Sequence, residues 1–184
     1  MRMDGAAMPA AAVAGAAAAA GAYLRIAEAP DAVLTRAAGS ALALAETFCG
    51  QRLIARGCED VIGTAQGWRR LASSPVRAID ALAGVPVAGV RFALPVDAYA
   101  VDIDAEGFGW VRATATGAAT RVAVAYTAGL AETWDALPEP LMQGIVLLTT
   151  HLFEHRAGTT APPAAIAALW RPWRRMRLMP AVRA

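Results

Sequence analysis

A helix beginning near Pro138 constrains this chain more than any other feature. Leu141, Ile145, Leu148 and Leu152 recur at helical spacing, and Met142, Val146 and Phe153 widen the stripe. A stripe this broad is buried on most sides. The run from Met142 to Phe153 is too short to cross a bilayer, so it is read as a core helix. Proline is favoured at the first helical position, Arg156 suits the carbonyl end, and Gly158 can stop the helix.

Such a helix needs other elements to cover it. A second helix is expected from Asp31, a capping residue, with Leu34, Ala38, Ala41, Ala45 and Phe48 on one face and Gly50 as its stop. Between the two lie strand signals. Arg52–Ile62 is a ragged candidate; Val76–Leu82 and Val87–Leu94 flank the turn-prone Gly84 and Pro86. Tyr99, Val101 and Ile103 alternate with Ala100, Asp102 and Asp104, which reads as a half-buried strand with its acids outward. Glu106 to Gly109 turns the chain, Trp110–Ala113 returns it, and Arg121–Tyr126 places Val122, Val124 and Tyr126 on one face. Short connections between such strands predict an antiparallel sheet. The expected class is α+β: helices packed on a small antiparallel β-sheet, with extended N- and C-terminal arms.

The chain has 184 residues, which fits one domain with arms. We expect an alanine-rich N-terminal arm over 1–22, a main domain over 23–158 and a C-terminal docking arm over 159–184. Pro9 to Leu24 is apolar, but nearly all alanine and glycine, so it is read as a floppy or partly helical arm and not as a signal peptide. The hydrophobic fraction of 57% is largely alanine, which favours helix and packs weakly.

Charge is unevenly placed. All 17 basic residues are arginine; from Arg156 onward there are six and no acid, leaving 11 arginines against 15 acids in the rest. A mildly acidic body therefore carries a basic tail, a pattern that often serves interaction. Lysine and asparagine are both absent, which suggests a GC-rich bacterial genome.

Enzymatic constellations are weak. His151, Glu154 and His155 follow the H-x-x-E-H order of inverted zinc peptidases on one helix. No acid follows Glu154 and no third histidine exists, so the expected metal is none and no catalytic residue is assigned. Asp97, Asp102, Asp104 and Glu106 lack calcium-loop spacing. No serine sits in a nucleophile elbow, no glycine-rich phosphate loop follows a strand, and no cofactor is expected. Cys49 and Cys58 match neither a disulfide framework nor a zinc pattern and are expected to be buried thiols.

The C-terminal segment is the most informative local stretch. Trp170, Arg171, Trp173, Arg174, Arg175 and Arg177 fall within eight residues. Tryptophan and arginine are enriched at interface hot spots, so this reads as a docking arm for another protein. The competing readings are a nucleic-acid or membrane-surface contact, and an amphipathic helix folded back on its own domain.

Together these residues resemble the head–tail connector, or adaptor, proteins of long-tailed phages and bacterial gene transfer agents. The resemblance runs from about Ala22 to Arg156. It rests on Ala22-Tyr-Leu-Arg-Ile26, Ala45-Glu-Thr-Phe-Cys-Gly-Gln-Arg-Leu-Ile54, Pro75-Val-Arg-Ala-Ile79 and Asp97-Ala-Tyr-Ala-Val-Asp102. It continues through Val124-Ala-Tyr-Thr-Ala-Gly129, Leu137-Pro-Glu-Pro-Leu-Met-Gln-Gly-Ile145 and Phe153-Glu-His-Arg156. The composition looks most like that of an alphaproteobacterial gene transfer agent. The alanine-diluted N-terminus departs from the family pattern.

The resemblance implies a structural protein and not an enzyme: a homo-oligomeric, twelvefold ring assembled in the bacterial cytoplasm and carried at the head–tail interface of the released particle. Implied partners are other copies of itself, a portal protein, the next tail-side connector or stopper, and DNA passing through without sequence-specific binding; no membrane is involved. The C-terminal arm would dock on the portal, and Asp102, Asp104 and Glu106 are candidates to face the channel. A mildly acidic body suits a conduit, since a basic lumen would hold phosphates through counterion release. The alternatives are a small DNA-binding or regulatory protein using the arginine-rich C-terminus and, more remotely, an H-x-x-E-H zinc peptidase.

Overall fold

The computed structural model describes residues 6–26, 28, 31–64, 67–155, 161–175 and 182–183. The chain divides into two compact units, one built mainly on residues 55–129 and the other on 7–54 and 130–177. The first carries strands and the second helices, so the α+β expectation holds. Each unit has its own cluster of buried apolar side chains.

The helical unit contains α1 (Ala10–Tyr23), α2 (Ala32–Cys49), α3 (Glu139–Glu154) and α4 (Ala164–Trp170). Both ends of α2 follow the sequence signals. The Asp31 carboxylate accepts the Val33 and Leu34 amides at 2.9 and 2.7 Å, and Gly50 closes the helix in the left-handed region at φ 66°. In α3, Leu141, Ile145, Val146 and Leu148 are buried, and Leu152 packs half-buried at the edge of the same cluster. The helix ends at Glu154, and the expected stop at Gly158 lies outside the described residues.

The N-terminal stretch departs from the expected arm. It is a regular helix, and Ala12, Ala16, Ala17 and Ala20 are buried in the helical core. Methyl side chains let a helix axis approach its neighbours closely, so weak packers still fill a core when the gap is narrow. Gly15 makes the same point: a Cβ there would lie 2.8 Å from the Trp134 ring.

The strand unit holds two four-stranded antiparallel sheets around one core, where a single small sheet was expected. The first joins β1 (Arg56–Gly63), β7 (Arg121–Ala128), β3 (Val76–Val85) and β4 (Phe92–Ala93), in the order β1-β7-β3-β4. The second joins β5 (Tyr99–Ile103), β6 (Gly109–Ala113), β2 (Trp68–Arg70) and β8 (Val182–Arg183), in the order β5-β6-β2-β8. Val122, Val124 and Tyr126 point inward together, as their alternation predicts. Their core also holds a buried polar group. The Tyr126 hydroxyl donates to Asp60 Oδ2 at 3.1 Å and accepts the Ser73 amide at 3.0 Å.

The face of β5 is as expected, with Val101 and Ile103 on the core side beside Val111 and Gly109, but its burial is not. Val101 and Ile103 are 45% and 40% exposed, while Asp102 and Asp104 are half-buried. β5 is the edge strand, and its residues pair with Val111 and Gly109 of β6. The core covers Val111 fully and stops short of the edge, so the apolar side chains overhang it. Asp102 shares the opposite face with Trp110, whose bulk shields it.

Candidate functional site

The arginine- and tryptophan-rich C-terminal segment follows Pro163 as α4 and one 3-10 turn, Arg171–Trp173. Proline before α4 fixes the entry, and Ile166 and Trp170 fall on its inner face. Trp170 is 3% exposed. Its indole meets the Phe48 ring at 5.8 Å, tilted by 56°, and its Nε1 donates to the Leu141 carbonyl at 3.3 Å. It lies so close to α3 that a Cβ on Gly144 would overlap it.

Trp170 is therefore not an exposed anchor. Its apolar area is satisfied within the helical unit, as in the folded-back reading that the sequence left open. The segment is pinned further along. Gln51 Nε2 donates to the Trp173 carbonyl at 2.7 Å, and the Arg175 amide donates to the Cys49 carbonyl at 2.8 Å. Trp173 and Arg175 are half-buried, whereas Arg171 and Arg174 are exposed. Arg174 lies over the Phe48 ring at 5.5 Å. Arg177 lies outside the described residues.

The acidic candidates separate in the same way. The Asp104 carboxylate accepts the Phe108 amide at 2.7 Å and the Trp110 Nε1–H at 2.8 Å, closing the turn in which Gly107 takes φ 77°. Asp104 is thus a turn residue that orients Trp110, and not a freely solvated carboxylate. Asp102 is half-buried and only Glu106 is exposed.

At the end of α3 the His151 and His155 rings stack at 4.5 Å, and His155 Nδ1 lies 3.1 Å from the His151 carbonyl. Among the described residues no three histidine, cysteine or acidic side chains converge as a metal site. Both cysteines are buried, as expected. Burial, helped by the Glu46 carboxylate, pushes the Cys49 thiol up to about 11, away from reactivity. No described helix is long and apolar enough to cross a membrane.

Two surfaces escaped the sequence reading. One is the outward face of the second sheet, where Arg112 lies over Trp68 at 5.2 Å and Arg70 over Phe108 at 4.8 Å. Trp68-Arg-Arg was legible as composition, but a strand of three residues gives no periodicity. The other is the loop between β3 and β4, whose Val87 and Val90 are 86% and 87% exposed. Its apolar sequence made it read as strand.

No family model matches the sequence, and no curated protein matches it. Solved structures do. The chain is similar to a component of the neck of an empty gene transfer agent particle computed with C6 symmetry, at 26% identity and TM-score 0.78, covering 97% of this chain and 98% of that one. It is equally similar to a component of the neck of the native particle computed with C12 symmetry, at 27% identity and TM-score 0.77, covering 97% of both chains. A chain from the virion of the native particle matches at 28% identity and TM-score 0.72, again over 97% of both.

Proposed function

We propose that this chain is the structural head–tail adaptor of a gene transfer agent or related phage-like particle, a ring subunit in its neck. The observation that carries this reading is the likeness, over nearly the whole of both chains, to neck components of such particles. The connector resemblance read from the sequence points to the same place independently of the fold. The twelvefold ring follows the C12 symmetry of the matched neck. The role is structural, not catalytic, and the DNA-binding and zinc-peptidase readings have no comparable observation in their favour.

Partners follow from the position. The ring joins copies of this chain, meets the portal on one side and a tail-side connector or stopper on the other, and lets DNA through without sequence-specific contact. For the portal, the accessible part of the C-terminal segment is its cations. Arg171 and Arg174 would pair with portal carboxylates, Trp173 and Arg175 would support them half-buried, and Trp170 would hold the segment from beneath. The exposed Glu106 and the half-buried Asp102 would offer negative charge to a passing duplex. Assembly in the bacterial cytoplasm precedes release of the particle.

Deleting the gene tests the reading. Electron microscopy of the lysate should show filled heads and separate tails, and supplying the gene in trans should restore joined particles. Tailed particles at normal yield without the gene would refute it.

A further inference from the structure

A closed ring needs two different, complementary patches on each subunit, because its contacts are head-to-tail. The structure offers an apolar projection in one unit and an apolar groove in the other. The projection is the β3–β4 loop. Its base is braced: Arg91 pairs with Glu59 at 3.0 Å, and the Phe92 ring covers Gly84, where a Cβ would lie 2.5 Å from it. Its tip is Val87-Ala-Gly-Val90, with Gly89 at φ 111° and no charged residue. Two valines almost fully in water on a braced turn form a surface that is costly alone and loses little entropy on docking.

The groove lies in the helical unit, about 580 Å³ in volume, lined by Met8, Val13, Ala14, Ala17, Ala18 and Thr35. It carries no charge. Its one hydroxyl, Thr35 Oγ1, already donates to the Asp31 carbonyl at 2.8 Å. Nothing there would orient a polar ligand, whereas aliphatic side chains would fill it. The helix forming its wall has no polar side chain anywhere from Ala10 to Ala22, and a helix apolar all round is one that is covered all round.

We infer that the Val87–Val90 tip of one subunit seats in the Met8–Val13–Ala18 groove of the next copy of this chain, forming the repeating contact of the ring. This rests on the ring reading above. It is tested in particles assembled with the full-length double variant Val90→Cys/Ala14→Cys, treated with a flexible bismaleimide. Both new thiols are at exposed positions and both native ones are buried. The expected result is a covalent ladder of this chain alone, absent from either single variant. A covalent dimer in one single variant would mean a like-with-like contact and overturn the inference. So would a product with a different protein, or no ladder although the chain is present in the neck. If the chain is missing from the particle, the adaptor reading itself fails and the inference falls with it. As a second arm, Val90→Asp should reduce ring assembly at least tenfold with an unchanged melt, while Val90→Leu should preserve it. Normal assembly of Val90→Asp would also overturn the contact.

Discussion

Replacing Trp170 by alanine distinguishes a docking arm from a structural strut. The indole is 3% exposed, against Phe48 and the backbone of α3 at Gly144. A buried tryptophan removes roughly 150–250 Å² from water, and about 25 cal/mol per Å² gives ~4–6 kcal/mol. Truncation series put Trp→Ala at about 3–5 kcal/mol, and a short helix near the chain end can partly collapse into the gap, so about 3 kcal/mol is expected. Gly144 sharpens the test. Alanine there gains about 1 kcal/mol of helix propensity but collides with the indole, at a cost of about 1–3 kcal/mol. Gly144→Ala alone should therefore be neutral to destabilising by about 2 kcal/mol. In the Trp170→Ala background the collision is gone, so the same change should stabilise. The cycle should give a coupling of about 1–3 kcal/mol. Urea unfolding followed by helical circular dichroism reports the helical unit. A Trp170→Ala loss under about 0.5 kcal/mol, or an additive cycle, would refute the strut. The reading of the C-terminal segment as a docking arm apart from the helical unit would then return.

Three further outcomes follow from particular contacts. Burial, reinforced by the Asp60 carboxylate, pushes the Tyr126 phenol up from 10 to about 12, so between these values the folded state holds a proton the unfolded chain has lost. Stability is then full below pH 10 and falls as pH rises toward 12. Tyr126→Phe should flatten that fall, leaving the part of the same sign from Cys49, and cost about 1–3 kcal/mol at pH 7 for its lost hydrogen bonds; chemical denaturation at pH 7 and pH 11 measures both. Asp104→Ala should cost about 1–3 kcal/mol by frees of the Phe108 amide and Trp110 indole from their acceptor, and a loss below about 0.5 kcal/mol would return Asp104 to the solvated face. Arg171→Glu should leave the melt within about 0.5 kcal/mol of the parent yet lower the yield of joined particles, counted by electron microscopy.

What was legible in the sequence depended on the physical signal involved. The Asp31 cap, the Gly50 stop and the apolar stripe of α3 are local, and each appeared where it was read. The alternation of β7 was legible because both its neighbours are strands, so its inner face is wholly covered. In β5 the same alternation gave the facing but not the burial, since a period of two says which residues share a face and not how far the core extends over it. Its edge position comes from long-range pairing that no window of sequence contains. The packing of the Ala10–Tyr23 helix was missed because its hydrophobicity has no direction: alanine on every side gives no preferred face, although several faces pack.

The C-terminal segment joins these two failures. Eight residues rich in tryptophan and arginine were read as one docking unit, but α4 and its following turn sort them by direction. A tryptophan aimed at a glycine on the neighbouring helix finds a fitted slot, and its hot-spot composition is spent inside the subunit. Arg171 and Arg174 on the next turn cannot be buried without partners, and they remain exposed, as the proposed docking requires. The two roles depend on each other. Arg171 follows directly on Trp170, so under the proposed docking a pull on the cation would load the indole against α3. A Trp170 variant should therefore weaken joining even at temperatures where the helical unit stays folded, whereas Arg171→Glu should weaken joining without touching the fold. Equal effects of the two substitutions on the melt would show that the segment is not divided in this way.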